Sequence, residues 1–275
     1  MTTVEAHREF INRPNNETPM LLRYRQVRGG SLLLEYPPIP TRGPGAATRK
    51  VDGVLLPDVG EFETSRGRSQ IFDWELATAS ERLALDELVA GSGTEILQAK
   101  NARLGPYLIG QTLFSRHLMR SSVGVAIAGS SSTELLRIAE TLSLKVVQDG
   151  GAARRGETRG LLSSTPALVR KYVAAKGGST VSPRAFTTPT MLGSGLVVDA
   201  ILLPDGPSHV EQPDVGAVRG AHAVAVCSTH RRIGMYVMGA AVCALHRLRD
   251  LGAARAGVVI LCKQTDGALA PLLQG

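Results

Sequence analysis

Short apolar runs, four to seven residues long and set between polar stretches marked by glycine or proline, dominate the pattern of this chain. SLLLEYP at 31–37, VDGVLLP at 51–57, EILQAK at 95–100 and VGVAIAG at 123–129 each have strand length and aliphatic content, so each predicts a strand. Helical spacing appears elsewhere. Thr18-Pro19 supplies an N-cap and a first-turn proline, and the helix they open should end before Gly29-Gly30. After Lys100, Leu104, Leu108, Phe114 and Leu118 recur so as to face a sheet or core, and TELLRIAETL predicts a helix from Thr133. The resulting order is α-β-β-β-α-β, followed by that last helix and a short strand, LKVV.

The second half repeats the first. VDGVLLPD at 51–58 and VDAILLPD at 198–205 agree at six of eight positions, at an offset of 147 residues. Upstream, ETPMLLRYRQVRGGS from Glu17 is echoed by STPALVRKYVAAKGGS from Ser164. Downstream, QAKNARLGPYLIGQTLFSRHLMR (98–120) aligns without gaps to CSTHRRIGMYVMGAAVCALHRLR (227–249). Arg103, Gly105, Tyr107, Gly110, His117 and Arg120 recur there as Arg232, Gly234, Tyr236, Gly239, His246 and Arg249. Three blocks in the same order indicate two copies of one domain. We place the first at 1–148, a linker at 149–163 around the polar, glycine-rich DGGAARRGETRG, and the second at 164–275, closing with GVVILC and DGALAPLL. The insert before the third strand is longer in the first copy, 48 positions from Asp52 to Lys100 against 30 from Asp199 to Thr229. Its extra length, VGEFETSRGRSQIFDW and the helix candidate ASERLALDELVA, reads as a surface excursion.

Composition narrows the function classes. With 275 residues, 43% hydrophobic and 20% charged, the chain is globular with aliphatic cores, and 4% aromatics argues against a base-stacking single-strand binder. A formal charge of +7 favours an acidic partner such as nucleic acid. MTTVEAHREF has no apolar h-region, no apolar run reaches membrane-spanning length, and Cys227, Cys243 and Cys262 form neither a ligand cluster nor a secreted disulfide pattern. The expected compartment is therefore the cytoplasm, with no membrane partner. No GxxxxGK[ST] run is present to drive a motor.

EILQAK ends an apolar run on lysine, a residue costly to bury. If the strands carrying Asp52 and Lys100 pair, both side chains meet at one sheet edge. A carboxylate there holds a hard divalent cation beside a phosphate, while a lysine stabilises the charge developing at phosphorus. Gln98 offers a neutral oxygen from the same strand face as Lys100, and the Ala99 carbonyl another. Copy two keeps Asp199 but has Cys227-Ser228-Thr229 in place of Gln98-Ala99-Lys100, and Ala240 in place of Gln111, so only copy one carries this set.

Asp52 followed by Gln98-Ala99-Lys100, within the α-β-β-β-α-β order, resembles the PD-(D/E)XK, or restriction endonuclease-like, nuclease superfamily. The resemblance implies an α/β fold of two tandem restriction endonuclease-like domains, each with a central mixed sheet. It implies Asp52, Gln98, Lys100 and Gln111 as catalytic residues, with Gln111 in the place of the helix glutamine of the RecB-like branch. It further implies Mg²⁺ or Mn²⁺ held by Asp52, Gln98 and Ala99. Glutamine at the first triplet position departs from the usual carboxylate and removes a negative charge. Arg103, Tyr107 and Gln111, four apart, are expected on one helix face, with Arg103 and Tyr107 at the nucleic acid. His230, Arg231 and Arg232, with Arg154, Arg155 and Arg159, are candidate phosphate contacts. Glu17 and Glu35 are candidate additional acids, otherwise surface groups, and His117 and His246 read as packing or polar-network residues. The expected activity is metal-dependent hydrolysis of DNA by the first domain, with the degenerate second domain positioning substrate or partner. The alternative is an inactive nuclease-fold DNA-binding or scaffold protein in a DNA-processing or defence complex; a third reading is a protein partner engaged through the insert, and a homo-oligomer is also an expected partner.

Overall fold

A computed structural model describes residues 17–38, 50–91, 93–121, 123–150, 166–186, 198–206, 214–232 and 235–264. It is a mixed α/β structure with helices and two main sheets. Packing divides the chain into two compact units, one formed by 1–104, 112–131 and 139–155, the other by 105–111, 132–138 and 156–275.

In the first unit, helix α1 (Thr18–Arg28) leads into β1 (Ser31–Tyr36) and β2 (Val51–Leu56), which pair antiparallel. The helix starts one residue earlier than expected: Glu17, not Thr18, is its N-cap, and the Glu17 side chain does not bond the helix end. Gly30, at φ +84°, makes the turn into β1, where a Cβ would run into the Leu56 carbonyl oxygen. The strand β6 (Glu95–Arg103) pairs antiparallel with β2 and parallel with β7 (Val123–Ser130), which in turn carries β8 (Leu144–Gln148). Helix α3 (Pro106–Leu118) bridges β6 and β7, and α4 (Thr133–Thr141) bridges β7 and β8.

The insert is more than a surface excursion. It forms a small hairpin, β3 (Phe62–Thr64) with β4 (Gly67–Ser69), then β5 (Ile71–Asp73), which joins the main sheet parallel to β1. The final sheet order is β5-β1-β2-β6-β7-β8. Helix α2 (Ala79–Gly91) follows, opened by Thr78 and Glu81 in a reciprocal capping box in which Glu81 also accepts the Ser65 amide.

Alternation along the strands builds a core on each face of the sheet. Met20, Leu21 and Tyr24 of α1 pack on Leu32, Leu34, Leu55, Leu97, Ala99, Val125 and Ile127. The insert covers the opposite face, where Phe72, Trp74, Leu85 and Val89 meet Leu33, Val54, Leu56 and Ile96. Each such aliphatic side chain, removed from water, contributes about 1.5–3 kcal/mol. The alternation also sends Gln98 away from Leu97 and Ala99, toward α3.

The second unit has a four-stranded sheet of order β12-β11-β10-β9: β9 (Ser179–Val181), β10 (Ala200–Leu203), β11 (His222–Arg232) and β12 (Arg255–Gln264). Its pairings are antiparallel, antiparallel and parallel, the same succession as β1-β2-β6-β7. Helices α5 (Pro166–Lys176), α6 (Pro183–Phe186) and α7 (Met235–Asp250) complete it. Gly178, at φ +87°, approaches the Leu203 carbonyl as Gly30 approaches that of Leu56. Among the described residues no helix is long and apolar enough to cross a membrane. The DGALAPLL segment, Thr165 and most of the linker, including Arg154, Arg155 and Arg159, lie outside the described residues.

Candidate active site at the end of the third strand

Polar residues punctuate β6 at both ends, for different reasons. Glu95 is buried at its start because its carboxylate accepts the Tyr24 hydroxyl at 2.6 Å and Arg28 Nε at 2.9 Å, while Lys145 Nζ donates to the Tyr24 oxygen at 2.9 Å. Burial and the Glu95 carboxylate together push the Tyr24 phenol well above its usual range. Lys100, at the other end, avoids the desolvation cost by leaving the core. Its side chain is 46% exposed and its Nζ lies 3.0 Å from Glu17 Oε1.

Asp52 sits where the sheet opens. The described β2–β6 register ends at Gly53↔Leu97, and one step beyond it Asp52 Oδ2 accepts the Ala99 amide hydrogen at 2.8 Å. A side chain thus takes up a backbone donor at the point where the register stops. Burial is the main force on this carboxyl and pushes it up to about 7, against the pull of the Ala99 amide; Glu17 and Glu35 add to the rise and Lys100 opposes it. Glu35 faces Asp52 in the β1–β2 register, between the rungs Leu34↔Gly53 and Tyr36↔Val51. Its backbone, at φ +54°, occupies a region unfavourable to a side-chain-bearing residue, and Lys50 Nζ stands 3.9 Å from its carboxylate. Glu17 and Glu35 therefore join the Asp52–Lys100 neighbourhood instead of serving as unrelated surface groups.

Gln98 is fully buried. Its Nε2 donates to Ser115 Oγ of α3 at 2.8 Å, while its Oε1 has no hydrogen-bond partner among the described residues. A buried carbonyl oxygen left in this state costs about 1–3 kcal/mol unless something else uses it. Among the described residues no group of three or more His, Cys, Asp or Glu is arranged to hold a metal ion. The Asp52 carboxylate, the Gln98 side-chain oxygen and the Ala99 carbonyl are all hard oxygens, but Gln98 turns to Ser115 on α3 while Asp52 holds the Ala99 amide beside Glu17 and Lys100. The chemistry of these donors suits Mg²⁺ or Mn²⁺, since Mg²⁺ keeps several waters and takes only one or two carboxylates.

The second unit repeats the clasp without the chemistry around it. Asp199 Oδ2 accepts the Ser228 amide at 2.5 Å, and burial raises its carboxyl, as at Asp52. The neighbours differ. Cys227 is buried and its thiol is pushed up to about 12, chiefly by burial, so it is not the thiolate that a metal would need. Thr229 stands where the first unit has Lys100. All three cysteines are free thiols.

Other expected contacts are placed differently. Arg103 is the last residue of β6 and not on the helix, because an irregularity after Lys100 carries the strand on to Arg103 and the helix starts only at Pro106. Its grouping with Tyr107 and Gln111 on one helix face therefore fails, although the exposed Arg103 remains near the strand end. Tyr107, 37% exposed, and the half-buried Gln111 sit one turn apart on α3. His117 is exposed, not packed, and burial lowers the half-buried His246. His230, Arg231 and Arg232 belong to β11, but their side chains lie outside the described residues. Ser115 and Asp73 escaped the sequence reading. Asp73, buried in β5, accepts the Glu75 amide and so caps the turn at Trp74–Leu76. No family model, no curated protein and no solved structure matches this chain.

Proposed function

We propose that the first half of the chain is a metal-dependent nuclease that hydrolyses phosphodiester bonds in DNA, and that the whole is a tandem pair of restriction endonuclease-like domains, 1–148 and 164–275, joined by 149–163. The observation that carries this reading is the grouping of Asp52, Lys100 and Glu17 at one strand end, with Gln98 in the same strand. Asp52, Gln98 Oε1 and the Ala99 carbonyl would hold Mg²⁺ or Mn²⁺, which when bound supplies Lewis-acid stabilisation of a phosphoryl oxygen. Asp52, clamped by the Ala99 amide, keeps its carboxylate fixed as charge develops. Lys100, half in solvent, offers its ammonium to the transition-state phosphate, and Glu17 holds that ammonium in place. We assign Arg103, exposed at the end of the strand, and Tyr107 as contacts to the nucleic-acid backbone, and Gln111 as a catalytic residue.

The second domain repeats the carboxylate–amide clasp without lysine or an amide ligand, and we assign it substrate or partner positioning, with Arg231 and Arg232 as phosphate contacts. Gln98, which leaves the site one negative charge short, favours a second reading, a noncatalytic DNA-binding or scaffold protein. Incubating the purified chain with linear, circular and single-stranded DNA, in Mg²⁺, Mn²⁺ or chelator, separates the two. Cutting that requires a divalent cation supports the nuclease; cation-independent binding without cutting supports the scaffold.

A further inference from the structure

We propose that the second unit binds one nucleotide between α5 and its sheet, with the base donating N–H groups to Asp199 and the phosphate at Arg170. This rests on the reading above that the second domain positions nucleic acid, and it does not involve the metal. A cavity of about 400 Å³ lies there, lined by Val169, Arg170 and Val173 of α5, by Thr180 and Ser182 at the end of β9, and by Asp199 beside β10. Sites for small ligands have this size.

The cavity arises from three side-chain exchanges between the halves. The rungs Leu33↔Val54 and Val181↔Ile201 hold the same place in the two sheets, so Thr180 and Ser182 stand where the first unit has Leu32 and Leu34. On the helix, Val169 stands where it has Leu22. Those three leucines are buried in the core under α1. The smaller side chains leave that space open, and two of them carry hydroxyls. A hydroxyl turned into a core costs stability unless it is hydrogen-bonded, so a merely shrunken core would have stayed apolar. Thr180 and Ser182, half-exposed to the cavity, suit a ligand with polar groups.

The charged groups select the ligand. Asp199 Oδ2 accepts the Ser228 amide at 2.5 Å, and a carboxylate has about four acceptor sites, so it can also accept from a base. The exposed Arg170 offers a fork of donors to a phosphate. Val169 and Val173 give the base an apolar wall. Guanine fits Asp199 best, because its ring and exocyclic N–H groups are adjacent donors, whereas thymine flanks its single N–H with two carbonyl oxygens that a carboxylate repels.

The test is equilibrium binding by the full chain in chelator, so that no cutting intervenes, with dGMP, dTMP and two DNA duplexes, one flush and one carrying a single unpaired guanine. The dGMP should bind about tenfold more tightly than dTMP, the scale of one well-matched base contact. Arg170→Ala, an exposed change, should weaken dGMP about tenfold. Thr180→Leu combined with Ser182→Leu restores the packing of the first unit, and should abolish dGMP binding while melting no lower than wild type. Preference for the unpaired guanine over the flush duplex identifies a nucleotide of the DNA as the occupant; dGMP binding without that preference identifies a free nucleotide. The proposal is overturned if neither dGMP nor the unpaired guanine is bound, if dTMP binds as tightly as dGMP, or if Arg170→Ala or the folded leucine variant binds dGMP as wild type does. Nucleotide binding by a chain that never cuts DNA would overturn the nuclease reading alone, and cutting without nucleotide binding would overturn this one alone.

Discussion

Asp52 accepts the amide hydrogen of Ala99 at 2.8 Å, one residue past the last rung that joins their strands. Burial there pushes the carboxyl up to about 7. Because the folded group holds its proton more tightly than the unfolded one, it contributes stability that is fully present below about pH 4. That contribution is lost as pH rises toward about 7. Asp52→Asn keeps an acceptor for Ala99 and removes the ionisation. It should therefore match wild type in thermal melts near pH 4 and exceed it at pH 8, by at most about 4 kcal/mol. A difference that does not change with pH would show that the carboxyl is not held protonated.

The same carboxyl couples cation binding to pH. Below about pH 7 a bound cation must displace a proton, so Mn²⁺ affinity should fall about tenfold per pH unit there and level off above about pH 8. Calorimetric titration in two buffers of different ionisation enthalpy reads the proton directly. Asp52→Asn should abolish the release, whatever affinity remains.

Glu95 anchors the far end of β6. Replacing it with alanine strands the Tyr24 hydroxyl and the Arg28 guanidinium, and should cost about 2 kcal/mol in denaturant unfolding. Tyr24→Phe removes one bond to Glu95 and one from Lys145 and should cost about 1 kcal/mol. The two changes should be less than additive, because they break one network.

Gly29 and Gly30 differ despite similar φ values of +82° and +84°. A Cβ at Gly29 meets nothing, so Gly29→Ala should cost only the strain of its glycine-only backbone, φ +82° and ψ −178°, about 2 kcal/mol. Gly30→Ala adds the collision with the Leu56 carbonyl and should cost about 3 kcal/mol. Gly178→Ala, against Leu203, should behave like Gly30→Ala, which melting curves of the three variants would decide.

The strands and helices that repeat between the halves were legible because each is a short aliphatic run or a helical stripe bounded by glycine or proline. Ile71–Asp73 was not, since three residues carry too little alternation and the strand is defined by its distant partner β1. Arg103 was misplaced because the irregularity after Lys100 extends a strand past the point where the pattern turns helical. Asp52, Gln98 and Lys100 were readable as candidates from their spacing. Glu17 reaching Lys100 was not, because the pair spans most of the first half and nothing local specifies it. Ser115 had a signal that went unused: its loss at Ala244 accompanies the loss of Gln98 at Cys227.

The central claim, that Lys100 and a cation beside Asp52 cut DNA, is tested most directly by single-turnover cleavage with wild type and Lys100→Ala, in Mn²⁺ and in chelator. Melting of the Lys100→Ala variant within a few degrees of wild type would establish that it is folded. The account predicts cleavage only with the cation, and a loss of at least about a hundredfold in the variant, the scale expected for removing a group that stabilises transition-state charge. Cleavage by Lys100→Ala at the wild-type rate, or cleavage that persists in chelator, would contradict it.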